Sequence, residues 1–190
     1  MTPSAFRSDD ISLRPFAASD APALETYLNH PDLEGRRYLP GGLPEFAPLS
    51  RPQIEGLVDR WGKAENVLHL AVIQRESGEL IGHAECDWGW DPHNPSVSVV
   101  IDPGRQRQGF GSQALRLLLD YLFAFTPAHN TTAWIAAWNA PALAFAAHRG
   151  FHQAGRLRRA GIRHGAYYDL VILDMLRLEW LAEGGRPDAP

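Results

Sequence analysis

Only one cysteine, Cys86, occurs in this sequence of 190 residues. No disulfide can therefore form within the chain, and no Cys-x-x-Cys motif is present. A single cysteine is typical of a protein from a reducing compartment, so we predict a cytoplasmic location. The nearest histidine, His83, would point to the opposite face of a strand, so we expect the Cys86 thiol to be a core side chain.

Long apolar runs and a surplus of positive charge are also missing. No stretch approaches the roughly 20 apolar residues that a membrane helix needs, and residues 1–10 lack a signal-peptide pattern. The net charge of −4 argues against a nucleic-acid partner. The eight histidines are scattered, without His-x-x-x-His spacing, so we predict no metal site.

What remains is an ordinary globular composition, with 45% hydrophobic and 21% charged residues. We find no repeat, and we predict a single domain over residues 1–180 with a flexible tail over 181–190. Periodicity predicts strands over 11–16, 67–74, 80–90, 96–101, 131–136, 151–157 and 168–176. It predicts helices near 20–30, from 51 onward, over 111–125 and over 141–149. This mixed order is not the order of a Rossmann fold.

A glycine-spaced segment follows the strand over 96–101 and begins the helix over 111–125. It reads Gln106-x-x-Gly109-x-Gly111, and glycine lets the main chain approach a ligand or adopt positive φ. The N–H groups at the start of the helix and its dipole favour an anion. Arg105 and Arg107 add positive charge, so the segment predicts a site for two linked phosphates. It lacks the G-x-G-x-x-G spacing of a nicotinamide dinucleotide enzyme, which we keep only as a third hypothesis.

This segment resembles the Q/R-x-x-G-x-G/A motif of the GCN5-related N-acetyltransferase (GNAT) superfamily. The stretch from Asn139 to Phe151 is similar to the family's N-x-x-A…G-F segment. The stretch from Gly165 to Val171, followed by Leu176 to Trp180, is similar to the branch that acetylates protein N-termini, ribosomal proteins, polyamines and related amines. The resemblance covers roughly residues 11–177. It implies a mixed α/β fold with a central, mostly antiparallel sheet, helices on both faces and a splayed strand pair that binds the cofactor.

The resemblance also implies acetyl-CoA as cofactor and assigns residues to it. Main-chain N–H groups are expected to bind its pyrophosphate from Gln106, Arg107, Gln108, Gly109, Phe110, Gly111 and Ser112. The main chain of Val99, Val100 and Ile101 is expected to pair with the pantetheine amides, as an added strand would. Asn139 and Ala142 are expected to border the pantetheine or the adenosine end.

The residues that many family members use for proton transfer are replaced in this chain. Ala146 stands where much of the family has the tyrosine that acts as general acid, and Ser96 stands where many members have the glutamate that acts as general base. His83, Glu85 and Asp87 share one face of a predicted strand. We expect that face to line a cavity or meet water, because burying three polar side chains there is costly.

Glu85 or Asp87 is therefore the predicted general base. Tyr167 and Tyr168 straddle the start of the last strand, and we take Tyr168 as the candidate general acid. The loop over residues 32–48 is rich in proline and glycine and is predicted to cover the acceptor side. It carries the charged or aromatic residues Glu34, Arg36, Arg37, Tyr38 and Glu45.

The main hypothesis is an N-acetyltransferase that transfers the acetyl group directly to a primary amine in a ternary complex. The acceptor is a protein N-terminus, a polyamine or another small amine, and the protein is a monomer or a homodimer. The alternative is an acyl-CoA-binding sensor or interaction module with impaired catalysis, since the usual acid and base are absent.

Overall fold

The computed structural model describes residues 6–33, 48–89 and 91–184. Strands and helices are interspersed along these ranges without strict alternation. The strands are β1 (Ile11–Pro15), β2 (Val67–Gln74), β3 (Leu80–Asp87), β4 (Ser96–Ile101), β5 (Asn130–Ala136), β6 (His152–Arg163) and β7 (Ala166–Leu176). The helices are α1 (Ala21–Leu28), α2 (Arg51–Lys63), α3 (Phe110–Phe125), α4 (Ala140–His148) and α5 (Arg177–Ala182).

The strands form one mixed sheet in the order β1-β2-β3-β4-β5-β7-β6. Strands β1, β2 and β3 pair antiparallel, as do β5, β7 and β6. Strand β4 runs parallel to β5, and the pairing between them is limited to Ser96 and Thr132. This helix-flanked, mostly antiparallel sheet confirms the predicted mixed α/β class. None of the described helices is long and apolar enough to cross a membrane.

The chain divides into two compact units. The first comprises residues 1–87 and 98–118, and the second comprises residues 88–97 and 119–190. That the whole forms a single domain with a tail stays a prediction, although α5 extends to Ala182 and residues 185–190 lie outside the described ranges.

In the first unit, α1 and α2 bury their apolar stripes together. Leu24, Tyr27 and Leu28 of α1 join Ile54 and Trp61 of α2 in one cluster. These side chains recur at helical spacing, which places them on one face of each helix. Helix α2 begins after Ser50, whose main-chain N–H donates to Oε1 of Gln53 at 2.9 Å and so satisfies one end group.

Strand β3 is shorter than predicted, since it ends at Asp87 and not at Trp90. The prediction counted the aromatic residues Trp88 and Trp90 as strand because aromatic side chains favour that state. Trp90 itself lies outside the described residues. In the register of this hairpin, His69 of β2 lies opposite Glu85 of β3 and Ala71 lies opposite His83, and the register shifts only between Val72 and Ile73.

In the second unit, the hairpin of β6 and β7 is longer than predicted. Strand β6 continues to Arg163, beyond its predicted end at residue 157 and through a stretch rich in arginine. Its register against β7 shifts between Leu157 and Gly161, where extra residues form a bulge. Asp169 fixes this bulge, because its carboxylate accepts the N–H of Arg159 at 2.8 Å and Nε of Arg156 at 2.7 Å.

Candidate functional site

Hydrogen bonds anchor the segment between β4 and α3, beginning at its first residue, Asp102. The N–H of Asp102 donates to the carbonyl of Ile81 in β3 at 2.9 Å, and its side chain accepts the N–H of Gly104 at 2.9 Å. Further along, Nε2 of Gln106 donates to the carbonyl of Ile101 at 3.0 Å. These hydrogen bonds anchor the segment to Ile81, near the start of β3, and to Ile101, the last residue of β4.

Six consecutive main-chain N–H groups follow without a hydrogen-bond partner among the described residues. They belong to Arg107, Gln108, Gly109, Phe110, Gly111 and Ser112, and the first N–H of the helix that is used is that of Gln113, which donates to Gly109 at 3.1 Å. Unpaired N–H groups at a helix start are what an anion requires. The N–H of Gln106, predicted to belong to this set, instead donates weakly to Pro103 at 3.4 Å.

Two residues of this segment have a left-handed main chain. The φ angle is 59° at Arg107 and 86° at Gly109. Alternating main-chain handedness turns successive N–H groups toward one side and forms an anion-binding concavity. A Cβ on Gly109 would touch nothing within 4 Å, so its glycine is required by the φ angle and not by crowding.

The two arginines of the segment differ. Arg105 forms an ion pair with Glu79, so the expectation that it lends its charge to phosphate is weakened. Arg107 is exposed, and its guanidinium has no hydrogen bond or ion pair within residues 6–33, 48–89 and 91–184. Arg107 is thus the arginine of the segment that is available to an anion.

The first turn of α3 is tied to the beginning of the chain by Gln113. Its side-chain oxygen accepts Oγ of Ser8 at 2.7 Å, and its nitrogen donates to Asp10 at 2.7 Å. These bonds join residues more than a hundred positions apart and fix the orientation of the N–H groups at the helix start.

The predicted pantetheine strand is β4. Val99 and Val100 are half-buried and Ile101 is buried. Strand β3 approaches this part of β4 closely, because a Cβ on Gly82 would lie 2.2 Å from the carbonyl oxygen of Val100. Their role toward pantetheine stays a prediction.

We expected the polar face of β3 to line a cavity or meet water, but His83 does not meet water. Its side chain is buried, and Nδ1 lies 2.6 Å from the hydroxyl of Tyr27 in α1. The centre of the Trp61 indole lies 5.4 Å from the centre of the His83 ring. Burial lowers the pKa of His83 to about 3, and it raises the pKa of Tyr27 well above its usual range.

Glu85 and Asp87, the predicted bases, lie half-buried further along the same face of β3. Glu85 has a neighbour that sequence reasoning missed, because Oε2 of Glu85 is 3.1 Å from Nδ1 of His69. The alternation of β2 puts His69 on the same face, so pairing the two strands in sequence would have found it. Cys86 points to the other face and is buried, which raises the pKa of its thiol and leaves it unreactive.

In the second unit, Asn139 and Ala142 stand at the start of α4. Asn139 is the residue that caps the helix, since its Oδ1 accepts the N–H of Ala142 at 3.2 Å. Both are half-buried, and Ala146 on the next turn is buried. A role for Asn139 and Ala142 beside a cofactor stays a prediction.

Tyr168, the candidate acid, is half-buried on β7. Its ring lies across Gly161 of β6, where a Cβ would come within 2.3 Å of the hydroxyl. The ring meets Trp138 edge to face at 6.3 Å, and the guanidinium of Arg163 lies 3.6 Å from the centre of that indole. Tyr167 is instead exposed, under the guanidinium of Arg159.

Some predicted features fall outside the described residues. Glu34, Arg36, Arg37, Tyr38 and Glu45 of the predicted covering loop lie there. Within the described ranges, no group of three or more His, Cys, Asp or Glu side chains is placed to hold a metal ion.

Comparison with known proteins identifies the class. Residues 10–152 match the model of the acetyltransferase (GNAT) domain. The chain is 23% identical over 168 residues to YnaD, an uncharacterised N-acetyltransferase of Bacillus subtilis, with 88% of this chain and 94% of the relative covered. This chain belongs to the GNAT family of acetyltransferases. Its placement in the ribosomal-protein branch stays a prediction.

Solved structures agree with this fold. A GNAT-family acetyltransferase from Bacillus anthracis superimposes with a TM-score of 0.77 at 19% identity, over 91% of this chain and 98% of that one. A spermidine N-acetyltransferase from Vibrio cholerae, solved with CoA and spermine, superimposes with a TM-score of 0.75 at 20% identity. That comparison covers 92% of this chain and 99% of that one.

Proposed function

We propose that this acetyltransferase uses acetyl-CoA and transfers the acetyl group directly to a primary amine. The observation that carries the proposal is the run of six N–H groups from Arg107 to Ser112, which have no partner among the described residues. A pyrophosphate offers enough acceptor oxygens for such a run. The exposed guanidinium of Arg107 adds a positive charge at the same place.

When bound there, acetyl-CoA would supply an acetyl group activated as a thioester. The residues of this chain then have three tasks: to bind the diphosphate, to align the pantetheine arm and to manage protons. The main chain of Val99, Val100 and Ile101 performs the second task. Asn139 and Ala142 border the cofactor, as the family resemblance implies.

A base is required because a free alkylamine has a pKa of about 10.4 and is protonated at neutral pH. Glu85 and Asp87 are half-buried carboxylates that accept this proton, directly or through water. Tyr168 is the proposed acid, because its hydroxyl can return a proton to the leaving sulfur. Tyr168→Phe is expected to lower kcat while CoA still binds.

The acceptor we propose is a small amine. The spermidine N-acetyltransferase solved with CoA and spermine supports this choice, as does the N-acetyltransferase name of YnaD. A protein N-terminus is the other amine acceptor in the same chemical class. A monomer or homodimer in the cytoplasm is part of the proposal.

The second candidate function is a module that binds acyl-CoA without catalysis. The observation in its favour is that Ala146, buried on α4, has no hydroxyl at the position of the family's tyrosine. Both functions require CoA binding, and they differ in turnover.

The first test is a calorimetric titration of the protein with CoA. Gly109→Glu is expected to abolish measurable binding, because it places a carboxylate and a strained φ among the unpaired N–H groups. Gly78→Glu is the matched control, since Gly78 also has positive φ and open space around its Cβ but lies in the turn after β2. Equal affinity in the wild type and Gly109→Glu would overturn the site, and competition by NADH would revive the dinucleotide hypothesis.

The second test is thiol release from acetyl-CoA with a panel of polyamines, small amines and N-terminal peptides. Release above background with at least one amine supports the enzyme. CoA binding without release across the panel would favour the non-catalytic module.

A further inference from the structure

A buried histidine lies directly against the best-placed candidate base. His69 of β2 and Glu85 of β3 are opposite one another in the register, and Nδ1 of the imidazole is 3.1 Å from Oε2 of the carboxylate. The His69 side chain is only 4% exposed, whereas the Glu85 side chain is 17% exposed. One end of the pair is therefore closed to solvent and the other is open.

The orientation of the His69 ring is fixed by packing. The indole of Trp61 in α2 stacks on it, with ring centres 4.9 Å apart and planes 19° apart. A stacked ring that is almost fully buried cannot rotate without disturbing α2. The direction in which Nδ1 points is thereby set by the core and not by Glu85.

Nδ1 of His69 has no well-formed hydrogen bond within the described residues, because its contact with Glu85 is short but poorly aligned. Oε2 of Glu85 is thus the acceptor nearest to an otherwise unsatisfied buried atom. A hydrogen bond between the two requires the carboxylate to rotate into line with Nδ1. A proton on Nδ1 satisfies both groups, whereas an unprotonated Nδ1 would direct its lone pair at the carboxylate.

The other polar groups on this face do not compete for His69. Nδ1 of His83 is occupied by the hydroxyl of Tyr27. Burial keeps His83 neutral, with a pKa of about 3, so no positive charge arises there to draw Glu85 away. Asp87 lies opposite Val67 in the register and not opposite His69.

We propose that His69 is a positioning residue that donates from Nδ1 to Oε2 of Glu85 and so holds the carboxylate with Oε1 toward the acceptor amine. This inference rests on the proposed function and chooses Glu85 over Asp87 as the base. In the step, Oε1 takes one proton from the ammonium, and the freed nitrogen lone pair forms the bond to the acetyl carbon as the bond from carbon to sulfur breaks. The nitrogen then loses its second proton and the leaving thiolate gains one, so the products are the amide, the CoA thiol and protonated Glu85, which releases its proton to water. The bond to His69 keeps one carboxylate oxygen fixed while the other accepts the proton.

The first arm of the test does not depend on catalysis. Long-range proton–nitrogen NMR of the histidine rings reports which nitrogen carries the proton. We expect the Nδ1–H form for His69 in the wild type, and a changed nitrogen pattern in Glu85→Gln with no change at His83. The Nε2–H form of His69 in both proteins would overturn the proposal.

The second arm is kinetic and uses His69→Phe, which keeps a ring against Trp61 but removes the donor. We expect kcat to fall about 10- to 100-fold, with the CoA dissociation constant within twofold of the wild type. The double variant of His69→Phe with Glu85→Gln should lose no more than Glu85→Gln alone, because the two residues act as one unit. Additive losses, or an unchanged kcat in His69→Phe, would overturn the proposal.

His69→Asn is the rescue variant, since its amide nitrogen reaches the place of Nδ1, and it should recover part of the lost kcat. If His69→Phe does not fold, His69→Asn and the NMR arm decide the question. Failure of the proposed function is distinguishable, because it appears as absent CoA binding or absent turnover in the wild type, whatever the state of the His69–Glu85 pair.

Discussion

The hydroxyl of Tyr27 in α1 and Nδ1 of His83 in β3 are 2.6 Å apart within the first unit. This hydrogen bond joins a helix to the sheet across 56 positions of sequence. It also explains how a histidine is tolerated in the core, because its ring nitrogen has a partner and its charge is absent. The imidazole therefore acts as a structural group here.

The stability of the protein should depend on pH through His83. Burial lowers the pKa of His83 from 6.5 to about 3, so the unfolded state binds more protons between these values. Stability due to this group is then complete above about pH 6.5 and is lost as the pH falls toward 3. Urea unfolding across this range should give a flatter pH dependence for His83→Gln than for the wild type. His164→Asn, in an exposed turn, is the control, and an equal slope in all three proteins would contradict the assignment.

Gln106 should contribute to CoA affinity through its side chain. The bond from Nε2 to the carbonyl of Ile101 fastens the segment that carries the unpaired N–H groups. Losing one such bond costs about 1 kcal/mol, so Gln106→Ala should weaken CoA binding roughly fivefold. Calorimetry measures this. Gln74→Ala, which removes an exposed side-chain contact to Ser77, should leave the affinity unchanged.

Gly161 should control the position of the Tyr168 hydroxyl. A Cβ at Gly161 would lie 2.3 Å from that oxygen, so Gly161→Ala must displace the ring. We expect kcat to fall as far as it does in Tyr168→Phe, while the CoA dissociation constant stays the same. Gly155→Ala on the same strand is the matched control, because its Cβ would meet Ile172 at an ordinary 3.7 Å. A normal kcat in Gly161→Ala would remove Tyr168 from the proposed mechanism.

Asp169 should hold the bulge of β6 closed. Its pKa is lowered chiefly by the hydrogen bond from the N–H of Arg159, with Arg156 as the second cause. Asp169→Ala should therefore speed hydrogen exchange at the amide of Arg159, measured by NMR. In the wild type, acidification through the lowered pKa of Asp169 should reduce the protection of the same amide, measured relative to its slower intrinsic exchange rate in acid. Asp174→Ala, further along β7, should not change exchange at Arg159.

The parts of the fold that were predictable from sequence are those set by local signals. The bounds of β2 and β4 match the prediction, because Glu76-Ser77-Gly78 and Asp102-Pro103-Gly104 end each strand with turn residues. The glycines of the segment before α3 likewise indicated that its main chain could adopt positive φ, and the φ angle of Gly109 is positive.

The parts that could not be predicted depend on contacts distant in sequence. The basic stretch in β6 is strand because β7 pairs with it, and such pairing outweighs local preference. The burial of His83 depends on Tyr27 and Trp61, which come from two helices that precede its strand. The ion pair between Arg105 and Glu79 could not be predicted either. The two residues lie in different turns, and the distance between those turns in space does not follow from the sequence.

The bonds of Gln113 to Ser8 and Asp10 have a consequence for folding. Because the start of α3 is hydrogen-bonded to the residues just before β1, it cannot be complete until these two parts of the first unit, more than a hundred positions apart, have met. A fragment that begins at β2 would contain Gly109 and Gly111 but would lack Ser8 and Asp10, and so it would lack these hydrogen bonds. The proposed diphosphate site is thus expected to form late in folding, and the motif alone should be insufficient for it.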